Sequence, residues 1–225
     1  MDSMFETLMK VPLFRGVSFN KMSEIIGKHR FHFLKYADGE QIIGAGEQCT
    51  HMKTVVSGKV RITVANAENR VRVSQTLEAP DIIAPDFFFG LTTSYPGTVV
   101  AQGDCGIMQI DKADYLDIIN SDAVFLFNFL NLLSLNAQVS MEGVLSLTSG
   151  DLKKRIAFWI VALTQRNGTD IVMDCRQRDL YSVFGVPRQS LLATLSEMKE
   201  RDLLDYSTTR IVVSDRKRLA DLLSE

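Results

Sequence analysis

Arg188, Gln189 and Ser190 stand in succession at the head of a segment, Arg188–Arg201, that reads as a helix. Its apolar positions Leu191, Leu195 and Met198 fall on one face, with Leu192 beside them, and leave Arg188, Gln189 and Ala193 outward. A guanidinium matches guanine O6 and N7, and a carboxamide matches adenine N6 and N7. The Ser190 hydroxyl and the first backbone N–H groups of such a helix suit a phosphate. Asp179–Phe184 reads as a shorter helix, with Leu180 and Val183 expected to face inward, and Gly185-Val186-Pro187 as the tight turn between the two. Two helices joined by a short glycine-containing turn make a helix-turn-helix. An arginine on a purely structural helical hairpin would look the same locally. The segment after it argues for the functional reading: Leu203–Tyr206, a Ser-Thr-Thr turn and Ile211–Val213 make a β-hairpin, the wing of a winged helix.

A reading helix must be carried by something. In front of it, Leu152, Ile156, Trp159, Ile160 and Leu163 repeat on one face of a helix that ends near Asn167-Gly168, and Thr169–Met173 is a strand candidate. Ser149-Gly150 separates that helix from a longer one, about Asp122 to Leu147. Within the long helix Leu126, Leu130, Leu133, Ala137, Ser140, Val144 and Leu147 alternate in spacing between four and three, a heptad seam with one polar lapse. At 1.5 Å per residue the seam runs about 30 Å. A core helix would need no partner. The width of the apolar surface favours a dimer helix, because Phe125, Phe127, Phe129 and Leu132 widen it beyond the seam. Asn128, Asn131 and Ser134 interrupt the apolar run, so no membrane span is read here.

From Phe31 to about Asp111 the rhythm is that of short strands: Met52–Val56 and Lys59–Val64 flank Ser57-Gly58, read as a tight hairpin, and Asn66–Asn69 reads as a turn. Val71, Val73, Gln75 and Leu77 alternate with Arg72, Ser74 and Thr76, so one face points inward. Pro80, Pro85, Pro96, Gly97, Gly103 and Gly106 mark later turns. Many short strands argue for a small barrel or sandwich. Residues 1–30 suit short helices, and Lys112–Asn120 another. The fold class is therefore α+β: an N-terminal jelly-roll-like β-roll over residues 1–120, a dimerisation helix over 121–148 and a winged helix over 149–225.

The 225 residues carry a formal net charge of −2, unevenly divided. Residues 151–225 hold thirteen Lys and Arg against eleven Asp and Glu, and residues 1–150 twelve against sixteen. A protein that binds phosphates with its C-terminal third need be basic only there. Cys49, Cys105 and Cys175 are scattered and odd in number, which points to a reducing cytoplasm rather than a disulfide framework. The N-terminus lacks the pattern of a secretory signal. No hydrolase, metalloprotease or nucleotide-loop motif is present, so an enzyme is not expected.

Arg155-Ile156-Ala157, then Arg178-Asp179-Leu180, then Val186-Pro187-Arg188-Gln189-Ser190-Leu191, resemble the DNA-binding domain of the bacterial Crp–Fnr transcription regulators. The order of parts is similar over nearly the whole chain, with glycine-bearing turns at Gly39, Gly46 and Gly58 where the family's β-roll has them. The family's founding member is itself a standard helix-turn-helix example. The resemblance implies that Arg188 is the main base-reading arginine and that Arg178, Gln189, Ser190 and Ala193 share the DNA face. Gln189 and Ala193 replace a glutamate and a second arginine of that member, so the operator half-site should differ. It implies a homodimer on a near-palindromic double-stranded operator, with RNA polymerase as a further partner.

Cyclic-AMP-binding members hold the ribose on a Gly-Glu pair and the phosphate on an arginine about ten residues later. Here Ala84-Pro85 and Pro96-Gly97 occupy those regions and only Thr98 survives. A buried phosphate without a cation is costly. No cofactor is expected and the effector is unknown. Phe87, Phe88 and Phe89, with Thr98, either line an apolar effector pocket or are plain core. A cluster of iron and sulfur would need about four thiolates, and His29, His32 and His51 have no metal-ligand spacing. The competing reading of the whole chain is an effector-binding sensor module that acts on a protein partner rather than on DNA.

Overall fold

The computed structural model describes residues 4–148 and 150–223. Ser149, read above as part of the break after the long helix, lies outside the described residues. Gly150 beside it has φ +90°, a left-handed conformation that glycine adopts without steric cost.

Two compact units form, and they do not follow the chain order. The first takes residues up to Arg61 and Leu77–Leu135, and the second takes Ile62–Thr76 and everything from Asn136 on.

The first unit opens with α1 (Met4–Lys10), a 3-10 turn at Pro12–Phe14 and α2 (Phe19–Lys28), the last started by the Ser18 side chain accepting from Lys21 N–H. Strands β1 (Phe31–Tyr36), β2 (Gln41–Ile43), β3 (His51–Ala65), β4 (Arg72–Glu78), β5 (Asp81–Ile82) and β6 (Gly97–Asp111) follow, then α3 (Lys112–Ser121) and α4 (Ala123–Leu145). All the pairings recorded for β1, β2 and β5 are antiparallel: β6 pairs β1 from Phe31↔Ile110 to Tyr36↔Cys105 and β2 at Gln41↔Val100, and β5 pairs β3 at Thr54↔Ile82. Met52, Val55, Val60, Val99, Ile107 and Ile110 fill the interior.

The expected hairpin at Ser57-Gly58 is not there. β3 runs unbroken through it, although Gly58 has φ +74°. A Cβ on Gly58 would run into the Asp104 carbonyl and Cys105, so the glycine admits the close passage of β6 rather than a reversal. Gly103 and Gly106 likewise lie inside β6 and end no strand. Near Gly103 (φ +74°) the strand changes partner from β2 to β1, and its N–H donates to Asp38 in the turn between them.

α4 buries Phe125 and Phe129 in this unit, Phe125 edge-on to Phe14, while Asn128 donates to the Leu13 and Arg15 carbonyls. By length and composition alone α4 could cross a membrane. Its inner stripe, however, is core of the β-roll unit.

In the second unit α5 (Leu152–Ala162), β7 (Thr169–Asp174), α6 (Gln177–Phe184), α7 (Arg188–Glu200), β8 (Asp205–Tyr206), β9 (Arg210–Val213) and α8 (Arg216–Leu223) build a winged helix. β7, β9 and β8 form its antiparallel sheet, with Ile171↔Val213 and Tyr206↔Ile211 in register. The far end of the β3–β4 hairpin adds a strand: β4 pairs β7 through Arg72↔Asp174, Val73↔Met173 and Ser74↔Val172. Val73 is buried in the winged-helix core with Ile156, Met173, Leu195 and Leu219. Gln75 is buried, and its Oε1 accepts from Gln165 N–H in the loop before β7. Gly168 packs so closely on Gln75 that a side chain there would collide.

Candidate nucleic-acid interface

α7 buries Leu191, Leu195 and Met198, as its spacing requires, and its other face carries Arg188, Gln189, Ser190 and Ala193, all exposed. Pro187 occupies its N-cap position and no side chain caps the helix. The first-turn N–H groups therefore keep their donor capacity and the positive end of the helix dipole. Arg188 makes no ion pair among the described residues. A free guanidinium, a carboxamide and uncapped N–H groups together can bond a guanine edge, an adenine edge and a phosphate.

α6 precedes α7 across Gly185, whose φ of +61° closes the first helix and lets its N–H donate back to Ser182 O. The inward positions of α6 are Leu180 and Phe184, with Val183 45% exposed. The expectation for Val183 fails because the contact stripe on this short helix follows the i, i+4 step and leaves i+3 to the side. Leu163 fails likewise: α5 ends at Ala162, and Ala157 and Val161 take the buried places. Arg178 is exposed in the first turn of α6, and Arg176 just before it pairs with Asp179 at 3.0 Å. The wing turn 207–209 is fastened to the start of α6, since Gln177 N–H donates to Thr208 O and Cys175 N–H to Thr209 O.

One buried arginine holds this assembly in place. Arg155 is 8% exposed, and its guanidinium donates to Leu147 O, just past α4, and to Phe184 O, the last residue of α6. It also lies 5.7 Å from the centre of the Phe184 ring. The sequence marked Arg155 only as part of a family-like triplet; the two carbonyls it joins are 37 residues apart, and no local pattern links them. A second buried arginine, Arg216 on α8, bonds the end of α5 through Val161 O and Thr164 Oγ1. Burial holds its pKa down to about 10. Neither arginine faces outward, so neither competes with Arg188 for a ligand.

The seam positions on α4 divide. Leu126, Leu130, Ala137, Ser140 and Val144 are exposed and Leu133 half-buried. α4 stops at Leu145, so Leu147 leaves the stripe and packs against the winged-helix core.

In the β-roll, Ala84 adopts φ 45°, ψ 54°, and Pro85 opens a 3-10 turn to Phe87. Phe88 is fully buried and stands edge-on to Tyr115 at 5.2 Å between ring centres, and Phe89 stands 5.7 Å from Phe129. Lys112 Nζ lies 4.9 Å from the Phe88 ring centre. The phenylalanine run is thus joined to α3 and α4 as an aromatic cluster; Phe87 is half-buried, and Thr98 is half-buried on β6. Lys53 is the buried lysine of this unit. It bonds Glu47 Oε1 at 2.9 Å and Ile42 O at 3.1 Å, and lies 5.5 Å from the Tyr95 ring centre. With desolvation working the other way, the Gly44 N–H and Lys53 bonds still hold the Glu47 carboxyl below its ordinary pKa.

Residues 33–122 match the family model of the cyclic nucleotide-binding domain, and residues 154–222 that of the Crp-like helix-turn-helix domain. Among solved structures, the chain is similar to the catabolite activator protein of Thermus thermophilus. The two are 18% identical over 95% of this chain and 98% of that one, with a TM-score of 0.51. FixK2 from Bradyrhizobium japonicum is 18% identical over 86% and 97% of the two chains, with a TM-score of 0.46. The sensor domain of the transcriptional regulator DNR from Pseudomonas aeruginosa is 17% identical over 58% and 85%, with a TM-score of 0.49. No curated protein matches the chain. With a cyclic-nucleotide-type β-roll, a Crp-like helix-turn-helix and the long helix between them, the chain belongs to the Crp–Fnr family of DNA-binding transcription regulators.

Proposed function

We propose that this regulator works in the cytoplasm as a homodimer on near-palindromic operators, with RNA polymerase as its partner in transcription. Residues 1–120 serve as effector domain, 121–148 as dimer helix and 149–225 as reader. Arg188 contacts guanine, Gln189 adenine, and Ala193 packs against a base, while Ser190, the α7 N–H groups and Arg178 hold phosphates. What carries this reading is the uncapped, exposed start of α7, with its unpaired arginine, on a buried Leu191-Leu195-Met198 face. Two such helices on a two-fold axis lie about one DNA turn apart, roughly 34 Å.

The test is Arg188→Ala on duplexes that the wild type selects from a random pool. A bidentate arginine–guanine contact is worth about 1–3 kcal/mol of discrimination. Two half-sites then lose about 2–6 kcal/mol, on the order of thirtyfold or more, while the dimer stays folded. Unchanged selectivity in the mutant would reject the assignment.

Cyclic AMP is not the switch in this reading. Pro85 offers no carboxylate to a ribose, and the buried Lys53 is already committed to Glu47 and the Ile42 carbonyl. Losing two charge-assisted bonds, at about 1.5–3 kcal/mol each, weakens binding by orders of magnitude. Calorimetry with cyclic AMP and cyclic GMP is expected to give no saturable binding in the low micromolar range. Such binding, accompanied by tighter DNA binding, would overturn the claim.

A further inference from the structure

Three strand ends stop at one edge of the winged-helix sheet. β4 begins at Arg72, β7 ends opposite it at Asp174, and β9 begins opposite Asp174 at Arg210. Beyond that edge lie the turn 66–71, the start of α6 and the wing turn 207–209. Neighbouring strands are about 4.8 Å apart, so Arg72 and Arg210 lie only about 10 Å from each other across the edge. Five arginines collect there: Arg70, Arg72, Arg176, Arg178 and Arg210. Two of the acids facing them are paired: Asp174 accepts from Arg210 at 2.7 Å and Asp179 from Arg176 at 3.0 Å. Glu68 accepts from the neutral Asn66 amide at 2.9 Å and keeps its charge, so the five arginines still outnumber the three carboxylates. Arg72 donates to Asn69 Oδ1, a neutral group. The guanidiniums of Arg70 and Arg178 make no ion pair among the described residues.

In a helix-turn-helix the first helix crosses the DNA backbone while the second enters the groove. The start of α6 and the wing turn tied to it are therefore where phosphates run. The hairpin turn sits at the same edge and is held there firmly, by the β4–β7 register, by buried Val73 and by Gln75 bonded to the loop before β7.

We propose that the β3–β4 hairpin is a DNA-contacting element of this protein, with Arg70 and Arg72 binding backbone phosphates beside the winged helix. The proposal rests on the DNA-binding reading of α7 and extends its footprint onto a segment that in chain order belongs to the β-roll. These contacts add charge and no base information, so they raise affinity for every sequence alike. Arg70 is the sharper probe of the two. Its backbone N–H bonds Asn66 Oδ1 and so shapes the turn, and alanine keeps that bond.

The experiment compares the full-length wild type with Arg70→Ala and Arg70→Glu by fluorescence anisotropy. The probes are a labelled random-sequence duplex pool and a single duplex selected from that pool by the wild type, titrated between about 50 and 200 mM KCl. Each lost phosphate contact makes the slope of log K against log salt shallower by about 0.9, so a dimer loses about 1.8. Arg70→Ala is expected to show that change on both probes, with the specific-to-random ratio and the melting temperature kept, and Arg70→Glu a larger loss of affinity. Wild-type slopes and affinities in both variants would overturn the proposal. A wild type that selects no sequence at all would sink the reading beneath it instead.

Discussion

Leu133→Asp is expected to turn a dimer into a folded monomer. The single chain has little to lose at this site, because Leu133 is only half-buried in it and its flanking seam positions Leu126, Leu130, Ala137, Ser140 and Val144 face outward. α4 has one charged residue, Glu142, in 23, and it leaves Val144 68% and Phe127 62% exposed. An apolar surface of this length in water needs a cover. Two copies of the heptad stripe would supply it, each burying its leucines at about 25 cal/mol per Å² removed from water. A carboxylate at the middle of that stripe would lose its hydration without a cation to meet it, since no lysine or arginine lies on α4. With two copies facing each other, dimer affinity should fall at least about a hundredfold, roughly 3 kcal/mol. Operator affinity then falls with it, because one reader reaches one half-site. Sedimentation at micromolar concentration reads the mass, and circular dichroism reads the fold. A wild type that sediments as a monomer, or a mutant that stays dimeric, would remove the seam from the account.

The second large effect is expected at Arg155. Truncation to alanine deletes the donor of both the Leu147 and Phe184 carbonyls, and leaves them inside the winged-helix unit without it. A buried polar group left unsatisfied costs about 1–3 kcal/mol, so the pair costs about 2–6 kcal/mol, before the lost cation–π contact with Phe184 is counted. For a domain of this size each kcal/mol lowers the melting temperature by about 4–8 °C. The winged helix of Arg155→Ala should thus melt at least about 8 °C lower, and DNA affinity should drop even where the domain is still folded, because the turn that aims α7 has lost its anchor. Arg155→Lys should recover little of this, since one ammonium cannot reproduce a planar fork that spans two carbonyls. A melting shift under about 4 °C for the alanine variant would show that water or a neighbour satisfies these groups as well.

The face of α7 and the apolar stripe of α4 were legible along the chain because their signals are local. The face formed by Leu191, Leu195 and Met198 repeats within a few turns, and a helix buries such a stripe wherever it docks, so α7 and its exposed Arg188 follow from spacing alone. The helical steps from Leu126 to Val144 are of the same kind, as is the β7 strand and the wing after it. That Ala84-Pro85 stand where cyclic-AMP-binding relatives have Gly-Glu was readable too, because it is a matter of residue type alone.

What the sequence by itself determined is therefore the kind of protein: an α+β chain with a β-roll pattern, a long apolar helix and a winged helix whose outward residues suit base edges in chemical type. What only the tertiary structure decided is which distant pieces share a task. Gly58 looked like a turn because positive φ is a local property, yet its use in a straight strand depends on where β6 passes. Val73 and Gln75 alternate as any half-buried strand does, and period two says which face is buried but not against what. Their partners are Met173 and Gln165, about a hundred residues on, and Arg155 likewise joins Leu147 to Phe184. Strand pairing and buried hydrogen bonds are satisfied through space, and a residue's own type and spacing do not name its distant partner, so the partners become visible only once the chain has closed on itself.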